Sequence, residues 1–112
     1  MRSGGKRVIK IGLCDDIKEY NMKIESQIER YGSENNIEVK VSSYCSGTQL
    51  ILNFQEKKFD IIFLDIAMAD MDGFETAEKI RKIDSQVEIV FCTSYYTITN
   101  ASKGYEVAAT DF

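Results

Sequence analysis

Short apolar runs alternate along the chain with amphipathic stretches. The runs are rich in branched and aromatic side chains and are bounded by polar residues or glycine, which is typical of buried β-strands. They cover residues 8–14, 39–44, 59–64 and 87–92, and the second of them alternates with polar residues, which predicts a short strand near an edge of the sheet. The third run contains the most hydrophobic window of the chain, Ile61-Ile62-Phe63-Leu64. Because polar residues do not alternate within that window, we expect a central strand that is covered on both faces.

The stretches between these runs carry apolar residues at helical spacing. In the first stretch, one apolar residue recurs every three or four positions, which predicts a helix that ends at Gly32. The residues of this stripe are Ile17, Tyr20, Ile24, Ile28 and Tyr31. Similar spacing predicts helices over residues 48–54 and 74–83, and a weaker pattern indicates a helix over residues 100–107.

Strands that alternate with helices indicate an α/β fold, in which helices cover both faces of one sheet. The connections are long enough for crossovers between parallel strands. A chain of 112 residues accommodates one small domain, which we expect to span residues 7–112. Residues 1–6 are short, charged and rich in glycine, so we interpret them as a flexible lead or a remnant of cloning.

Charge and hydropathy exclude several classes of function. The formal net charge is −4, from 14 Lys and Arg against 18 Asp and Glu, so we expect no direct binding to nucleic acid. No apolar run approaches the roughly 20 residues of a membrane span, and the first residues lack the apolar core of a signal peptide. We therefore expect a cytoplasmic domain that does not bind a membrane.

The chain contains no histidine, which removes His-dependent catalysis and His-containing zinc sites from consideration. Three cysteines lie in or beside apolar segments without Cys-x-x-Cys spacing, and they are Cys14, Cys45 and Cys92. We interpret them as reduced, buried thiols. Any chemistry then depends on carboxylates, hydroxyl groups and lysines.

Polar residues follow three of the four predicted strands. Asp15 and Asp16 follow the first strand, Asp65 follows the third, and Thr93 with Ser94 follows the fourth. Since the carboxyl ends of parallel strands meet at one edge of a sheet, these side chains are expected to converge. Clustered carboxylates repel one another unless a cation lies between them, and oxygen ligands of this kind suit Mg²⁺. A carboxylate beside such a cation can attack a phosphoryl group.

These residues carry a specific resemblance to a known family. The run LDIAMADMDG at residues 64–73, with the acid pair near residue 15 and FCTS at residues 91–94, resembles the receiver domain of response regulators, in the CheY-like superfamily. The run YEVAATDF at residues 105–112 resembles the approach to the fifth strand in the LytTR (AgrA-type) subgroup. The resemblance extends from about residue 8 to residue 112.

The resemblance implies a particular sheet. We expect a flavodoxin-like, doubly wound parallel sheet in strand order 2-1-3-4-5, within a three-layer sandwich. Phe112 would begin the fifth strand, so the fifth strand and the fifth helix would be incomplete and the receiver domain truncated. An uncovered fourth strand would then favour pairing with a second copy of the chain near Tyr105 and Phe112, so a homodimer is possible.

The resemblance also assigns roles to individual residues. Asp65 would be the phosphoacceptor and a ligand of Mg²⁺. Asp16 would bind the ion directly, Asp15 through a water molecule, and Ala67 through its backbone carbonyl oxygen. Of the remaining positions, Thr93 would bind the phosphoryl oxygens. Phe112 stands where the family carries an aromatic ring that changes rotamer on activation.

Two positions depart from the family pattern. The proline that is usual in the loop after the phosphoacceptor is Ala69 here, which should loosen that loop without removing a ligand. The lysine that pairs with the phosphoryl group would stand about three residues beyond Phe112, and Lys103 lies too early to replace it. The chain is therefore either a truncated receiver or one with impaired phosphorylation, and as printed it should bind phosphate mimics weakly.

The function implied by the resemblance is that of a two-component receiver. A sensor histidine kinase would donate the phosphoryl group, and the domain would switch an output domain of the LytTR DNA-binding type. Such a domain is not an enzyme, although it assists its own phosphorylation and hydrolysis. The alternative is a pseudo-receiver that has the fold and acts as an interaction module without phosphorylation. A haloacid-dehalogenase-type phosphatase is rejected because that family requires an acid where Ala67 stands.

Overall fold

The computed structural model describes residues 8–93 and 106–110, with the side chains of 93 and 106–110 excluded. The elements in chain order are β1 (Val8–Cys14), α1 (Lys18–Glu34), β2 (Glu38–Tyr44), α2 (Gly47–Leu52), β3 (Ile61–Asp65), α3 (Gly73–Ile83), β4 (Glu88–Thr93) and β5 (Glu106–Thr110). Across the described part of the chain, no helix is long and apolar enough to cross a membrane.

The five strands form one sheet in the order β2-β1-β3-β4-β5, as the sequence predicted. The first four strands are parallel. Cys14 lies opposite both Tyr44 and Leu64, and Asp65 lies opposite Cys92. The carboxyl ends of the central strands therefore finish at one edge, which confirms the α/β architecture and the flavodoxin-like strand order.

The fifth strand differs from the expected one in position and direction. It spans Glu106–Thr110 and runs antiparallel to β4, with Ala108 opposite Phe91. The expectations of a helix through residue 107 and of a parallel strand beside β4 are therefore wrong for the described residues. The expectation that a strand begins at Phe112 lies outside them. An antiparallel neighbour needs no crossover, and β-branched residues within 106–110 favour a strand over a helix.

The main core lies between the sheet and the two helices α2 and α3. Apolar side chains that are completely inaccessible come from four different elements, and they are Leu50, Ile62, Leu64, Ala77, Ile80 and Ile89. The run in β3 is thus central, as its lack of alternation predicted. The expected inward residues of the second helix behave as predicted: Leu50 and Phe54 are buried, and Ile51 packs against the core, although Phe54 lies beyond the end of α2.

Helix α1 packs on the other side of the sheet, against β1 and β2. It continues past the predicted stop at Gly32 and ends at Glu34. Gly32 is buried, and a Cβ atom there would lie 2.7 Å from the carbonyl oxygen of Ile37. The glycine therefore allows the helix to approach the chain that enters β2, and it does not act as a terminator. Within the predicted stripe, Ile17, Tyr20 and Tyr31 are exposed, so the stripe is only partly buried.

A buried carboxylate joins two segments at the opposite, amino-terminal edge of the sheet. Asp84, directly after α3, accepts hydrogen bonds from the backbone N–H groups of Lys57 (2.9 Å), Gln86 (2.8 Å) and Val87 (3.1 Å). Burial opposes ionisation of Asp84, but the three N–H groups outweigh it and hold the pKa below its usual value. The ionised side chain thus ties the segment before β3 to the turn that leads into β4.

Replacing Asp84 by alanine should destabilise the fold by about 3 kcal/mol, because three backbone N–H groups lose their acceptor. Asp84→Asn keeps one acceptor oxygen and should lose less. Since the pKa is lowered in the folded state, this stabilisation is present above the unfolded value of 3.8 and is lost as pH falls through the folded value. Urea unfolding at pH 7 and pH 3 measures both effects.

The neighbouring exposed residue offers a matched control for that experiment. Ser85→Ala should leave the unfolding midpoint almost unchanged, because Ser85 is exposed and its hydroxyl accepts a hydrogen bond from the exposed side-chain amide of Gln86. An Asp84→Ala midpoint equal to that of Ser85→Ala would contradict the role given to the carboxylate.

Candidate functional site

The loop after β1 places Asp15 firmly at the carboxyl edge of the sheet. Asp15 is buried, and its Oδ1 accepts a hydrogen bond from the backbone N–H of Ile17 at 2.9 Å. Its own N–H donates to the carbonyl oxygen of Tyr44 at 3.1 Å. The buried amide of Asn21 donates to the carbonyl oxygens of Asp15 (3.2 Å) and Tyr44 (2.9 Å). The start of α1 is therefore tied to the ends of β1 and β2.

Asn21 is a residue that the sequence reasoning missed. It lies four positions after Ile17 and three before Ile24, so it falls on the inward stripe of the predicted helix. A polar residue on an apolar stripe is the signal that could have identified it, because a buried amide needs hydrogen-bond partners.

Asp65 is the last residue of β3 and is only 3% exposed. Its Oδ1 is buried and has no hydrogen-bond partner in the part of the chain that the structure describes. One carboxylate oxygen from each of Asp15, Asp16 and Asp65 lies within 4.8 Å of the others. The structure thus brings together the three carboxylates that the sequence placed at this edge.

The electrostatics of this cluster are unfavourable without a cation. Burial, and next the charge of Asp15, raise the pKa of Asp65 to about 6, although the N–H groups of Ala67 and Ile66 partly oppose this. Burial is also the main reason why the pKa of Asp15 is raised, with the charge of Asp16 adding to it. An unpaired buried oxygen among three acids is what an oxygen-ligated cation would satisfy, so these residues fit Mg²⁺.

The loop from β3 to α3 turns tightly around the site. The N–H of Ile66 donates to the carbonyl oxygen of Cys92 at 3.1 Å, and the N–H of Gly73 donates to the carbonyl oxygen of Ile66 at 2.8 Å. A Cβ atom at Gly73 would overlap the carbonyl oxygen of Asp65, so only glycine fits there. The same loop carries Ala67, which is exposed two residues after Asp65.

The remaining predicted site residues are placed only in part. The backbone of Thr93 ends β4 one residue after Cys92, the register partner of Asp65, so it lies at the same edge as the carboxylates. Its side chain lies outside the described part of the chain, as do Ser94 and Phe112.

The cysteines differ from one another in exposure. Cys14 and Cys92 are buried, as expected, whereas Cys45 is exposed, so its predicted burial is wrong. Cys45 directly follows β2, at the carboxyl edge of the sheet, where the chain leaves the core. Burial, and next the charge of Asp15, raise the pKa of Cys14 to about 12, so this thiol stays protonated. Its Sγ contacts Sδ of Met68 at 3.6 Å.

Comparison with known proteins assigns the family. The sequence profile of the response regulator receiver domain matches residues 11–112. The chain belongs to this family. It is 28% identical over 108 residues to the chemotaxis protein CheY of Thermotoga maritima, which covers 96% of the chain and 83% of that protein. The fold is similar to that of Vibrio cholerae CheY4, with a TM-score of 0.67 and 21% identity over 86% of this chain and 77% of that one.

A third relative shows how much larger some members are. The chain is 31% identical over 73 residues to the transcriptional regulatory protein ZraR of Klebsiella oxytoca, which covers 65% of the chain but 16% of ZraR. Receiver domains are phosphoacceptors and not conventional enzymes, and they bind Mg²⁺ at an acidic pocket such as the one found here. Response regulators interact with histidine kinases and with output domains.

The receiver's buried carboxylate should make stability depend on pH in the absence of metal. The pKa of Asp65 is raised from 3.8 to about 6. Ionised Asp65 therefore lowers the free energy of unfolding by its full amount above the higher pKa value and not at all below the lower one. Asp65→Asn removes the charge and should stabilise the metal-free protein at pH 8 by about 2–3 kcal/mol, with little effect near pH 4. Urea unfolding with a chelator present measures the difference.

A matched substitution on the surface controls for the loss of charge alone. Glu78 is an exposed carboxylate on α3, so Glu78→Gln should not reproduce the stabilisation. The account of Asp65 is wrong if Asp65→Asn and Glu78→Gln unfold at the same urea concentration at pH 8.

Proposed function

We propose that this receiver accepts a phosphoryl group on Asp65 from a histidine kinase, with Mg²⁺ held by Asp15, Asp16, Asp65 and the carbonyl oxygen of Ala67. The observation that carries the proposal is the buried, unpartnered Oδ1 of Asp65, which lies in a cluster with two further carboxylates. A buried carboxylate oxygen without a hydrogen-bond partner lowers the stability of the fold. Its presence therefore supports a role in binding and chemistry.

The environment of Asp65 suits a nucleophile. With a pKa of about 6, the carboxylate is mostly ionised at neutral pH, yet it is more basic than an ordinary aspartate. In the transfer, a carboxylate oxygen forms a bond to phosphorus while the bond from phosphorus to the donor nitrogen breaks, and that nitrogen leaves with the electron pair. Mg²⁺, when bound, neutralises charge on the phosphoryl oxygens.

The neighbouring residues hold this arrangement in place. Asp15 is fixed by the N–H of Ile17, and Asn21 fixes the backbone around it. The tight turn at Gly73 holds the carbonyl groups of the next loop close to the end of β3. The site is thus largely preorganised, which lowers the barrier because little has to reorganise during transfer.

For the switch, we assign Thr93 to the phosphoryl oxygens and Phe112 to the aromatic position. Support for Thr93 comes from its backbone, which ends β4 beside the carboxylate edge. Support for Phe112 is the resemblance of residues 105–112 to the LytTR subgroup. On the same resemblance, the output domain in the whole protein binds DNA and the protein acts in the cytoplasm. The homodimer expected from an uncovered fourth strand is not proposed, because β5 pairs with β4 in the described residues.

Phosphorylation with a small phosphodonor tests the proposal. In the whole protein, acetyl phosphate with Mg²⁺ should add one phosphoryl group, because the site supplies both nucleophile and metal ligands. Intact-mass spectrometry detects the modification, and borohydride reduction followed by peptide mapping places it at Asp65. Asp65→Asn should remain unmodified, whereas Glu78→Gln should react like the wild type.

Two results would contradict the proposal in different ways. Equal modification of the wild type and Asp65→Asn would show that another residue is the acceptor. Mg²⁺ binding without any modification, by acetyl phosphate or by a purified histidine kinase, would instead favour a pseudo-receiver that acts as an interaction module.

A further inference from the structure

A hydrogen bond joins the two loops that supply the carboxylates. The backbone N–H of Ala69, in the loop from β3 to α3, donates to Oδ2 of Asp16, in the loop from β1 to α1, at 3.2 Å. The two residues are 53 positions apart in the sequence. This contact therefore depends on the folded sheet and not on local chain geometry.

The amide of Ala69 is presented by a loop that is anchored on both sides. Before it, the buried side chain of Met68 contacts the Cys14 thiol, and the Met68 N–H donates to the carbonyl oxygen of Ile66 at 3.2 Å. After it, Asp70 accepts a hydrogen bond from the backbone N–H of Thr48 at 3.4 Å. The direction of the Ala69 N–H is thus set by its neighbours.

The position of the Asp16 side chain depends on such a hydrogen-bond donor more than the positions of Asp15 and Asp65 do. Its side chain is exposed, so packing does not restrict its rotamers, whereas Asp15 and Asp65 are buried. Without a cation, repulsion from these two like charges would favour rotamers of Asp16 that point into solvent. The amide of Ala69 opposes this, because a charge-assisted hydrogen bond holds the carboxylate beside its neighbours.

We propose that the main-chain N–H of Ala69 is a positioning group for Mg²⁺, which holds the Asp16 carboxylate in the cluster before the ion binds. One oxygen of Asp16 accepts the amide hydrogen bond, and the other oxygen stays available to the ion. The proposal rests on the proposed function, because Mg²⁺ is the ion that phosphoryl transfer requires. It assigns the effect to the N–H group and not to the methyl side chain.

If the N–H group is what matters, the effect of a substitution at Ala69 depends on the backbone and not on the side chain. Any residue with a backbone N–H can act as the donor, so Ala69→Ser should preserve Mg²⁺ binding. Proline has no N–H and cannot donate. The family usually has a proline at this position. Ala69 provides a hydrogen-bond donor that a proline lacks, and this contact offsets the looser loop that the sequence predicts.

The affinity for Mg²⁺, measured by isothermal titration calorimetry without any phosphodonor, tests the proposal. Ala69→Pro should weaken binding about 3- to 10-fold, as expected for the loss of one preorganising contact. Ala69→Ser should bind within about twofold of the wild type. If Ala69→Pro binds Mg²⁺ as tightly as Ala69→Ser, or more tightly, the positioning role is wrong.

A double-substitution cycle tests whether Ala69→Pro weakens Mg²⁺ binding through the lost hydrogen bond to Asp16 or through a general change in the loop. On an Asp16→Ala background the donor has no acceptor, so adding Ala69→Pro should change the remaining affinity by less than about twofold. If Ala69→Pro weakens Mg²⁺ binding on the Asp16→Ala background as much as it does in the wild type, the proline acts on the loop and not through Asp16.

Amide hydrogen exchange in the metal-free protein gives a readout that does not depend on the ion or on the folding of the proline variant. The Ala69 amide should exchange more slowly in the wild type than in Asp16→Ala, because the hydrogen bond protects it. Equal exchange rates would overturn the proposal. Failure of the wild type to bind Mg²⁺, with this protection intact, would contradict the proposed function while leaving the contact established.

Discussion

The arrangement of this molecule depends on three like charges that parallel strands bring to one edge of the sheet. Because β1 and β3 are adjacent and in register, the acids at their carboxyl ends lie close together. Asp65 is the most constrained member, since it is buried and one of its oxygens has no partner in the described part of the chain. The fold thus carries an electrostatic penalty that a bound divalent cation would remove.

The surrounding structure is organised to tolerate this penalty. Within the described residues, backbone N–H groups and a side-chain amide hold the acids. The N–H of Ile17 donates to Asp15, the N–H of Ala69 donates to Asp16, and Asn21 fixes the backbone behind them. Amide dipoles fix the direction of a carboxylate without neutralising its charge, so the attraction for a cation is kept. At the other edge of the sheet, by contrast, the buried Asp84 accepts hydrogen bonds from three N–H groups and links two segments of the chain.

Much of this could be predicted from the sequence, because periodicity and strand order are local signals. The apolar runs identified the parallel strands, and the polar residues after them located the cluster. Features that depend on distant contacts could not be predicted in this way: the antiparallel direction of β5, the packing role of Gly32 and the inward amide of Asn21. The contact between Ala69 and Asp16 belongs to the same class, since a backbone N–H leaves no signature in the sequence.

The central claim is that a single divalent cation binds among the three carboxylates, and paramagnetic relaxation by Mn²⁺ tests it most directly. In a two-dimensional NMR spectrum at low Mn²⁺ concentration, the amide signals near residues 15, 16 and 65–67 should broaden first. The amides around Asp84 should stay sharp, because they lie at the opposite edge of the sheet. Broadening that begins around Asp84, or that persists around residue 65 when Asp16 and Asp65 are both replaced by asparagine, would contradict the claim.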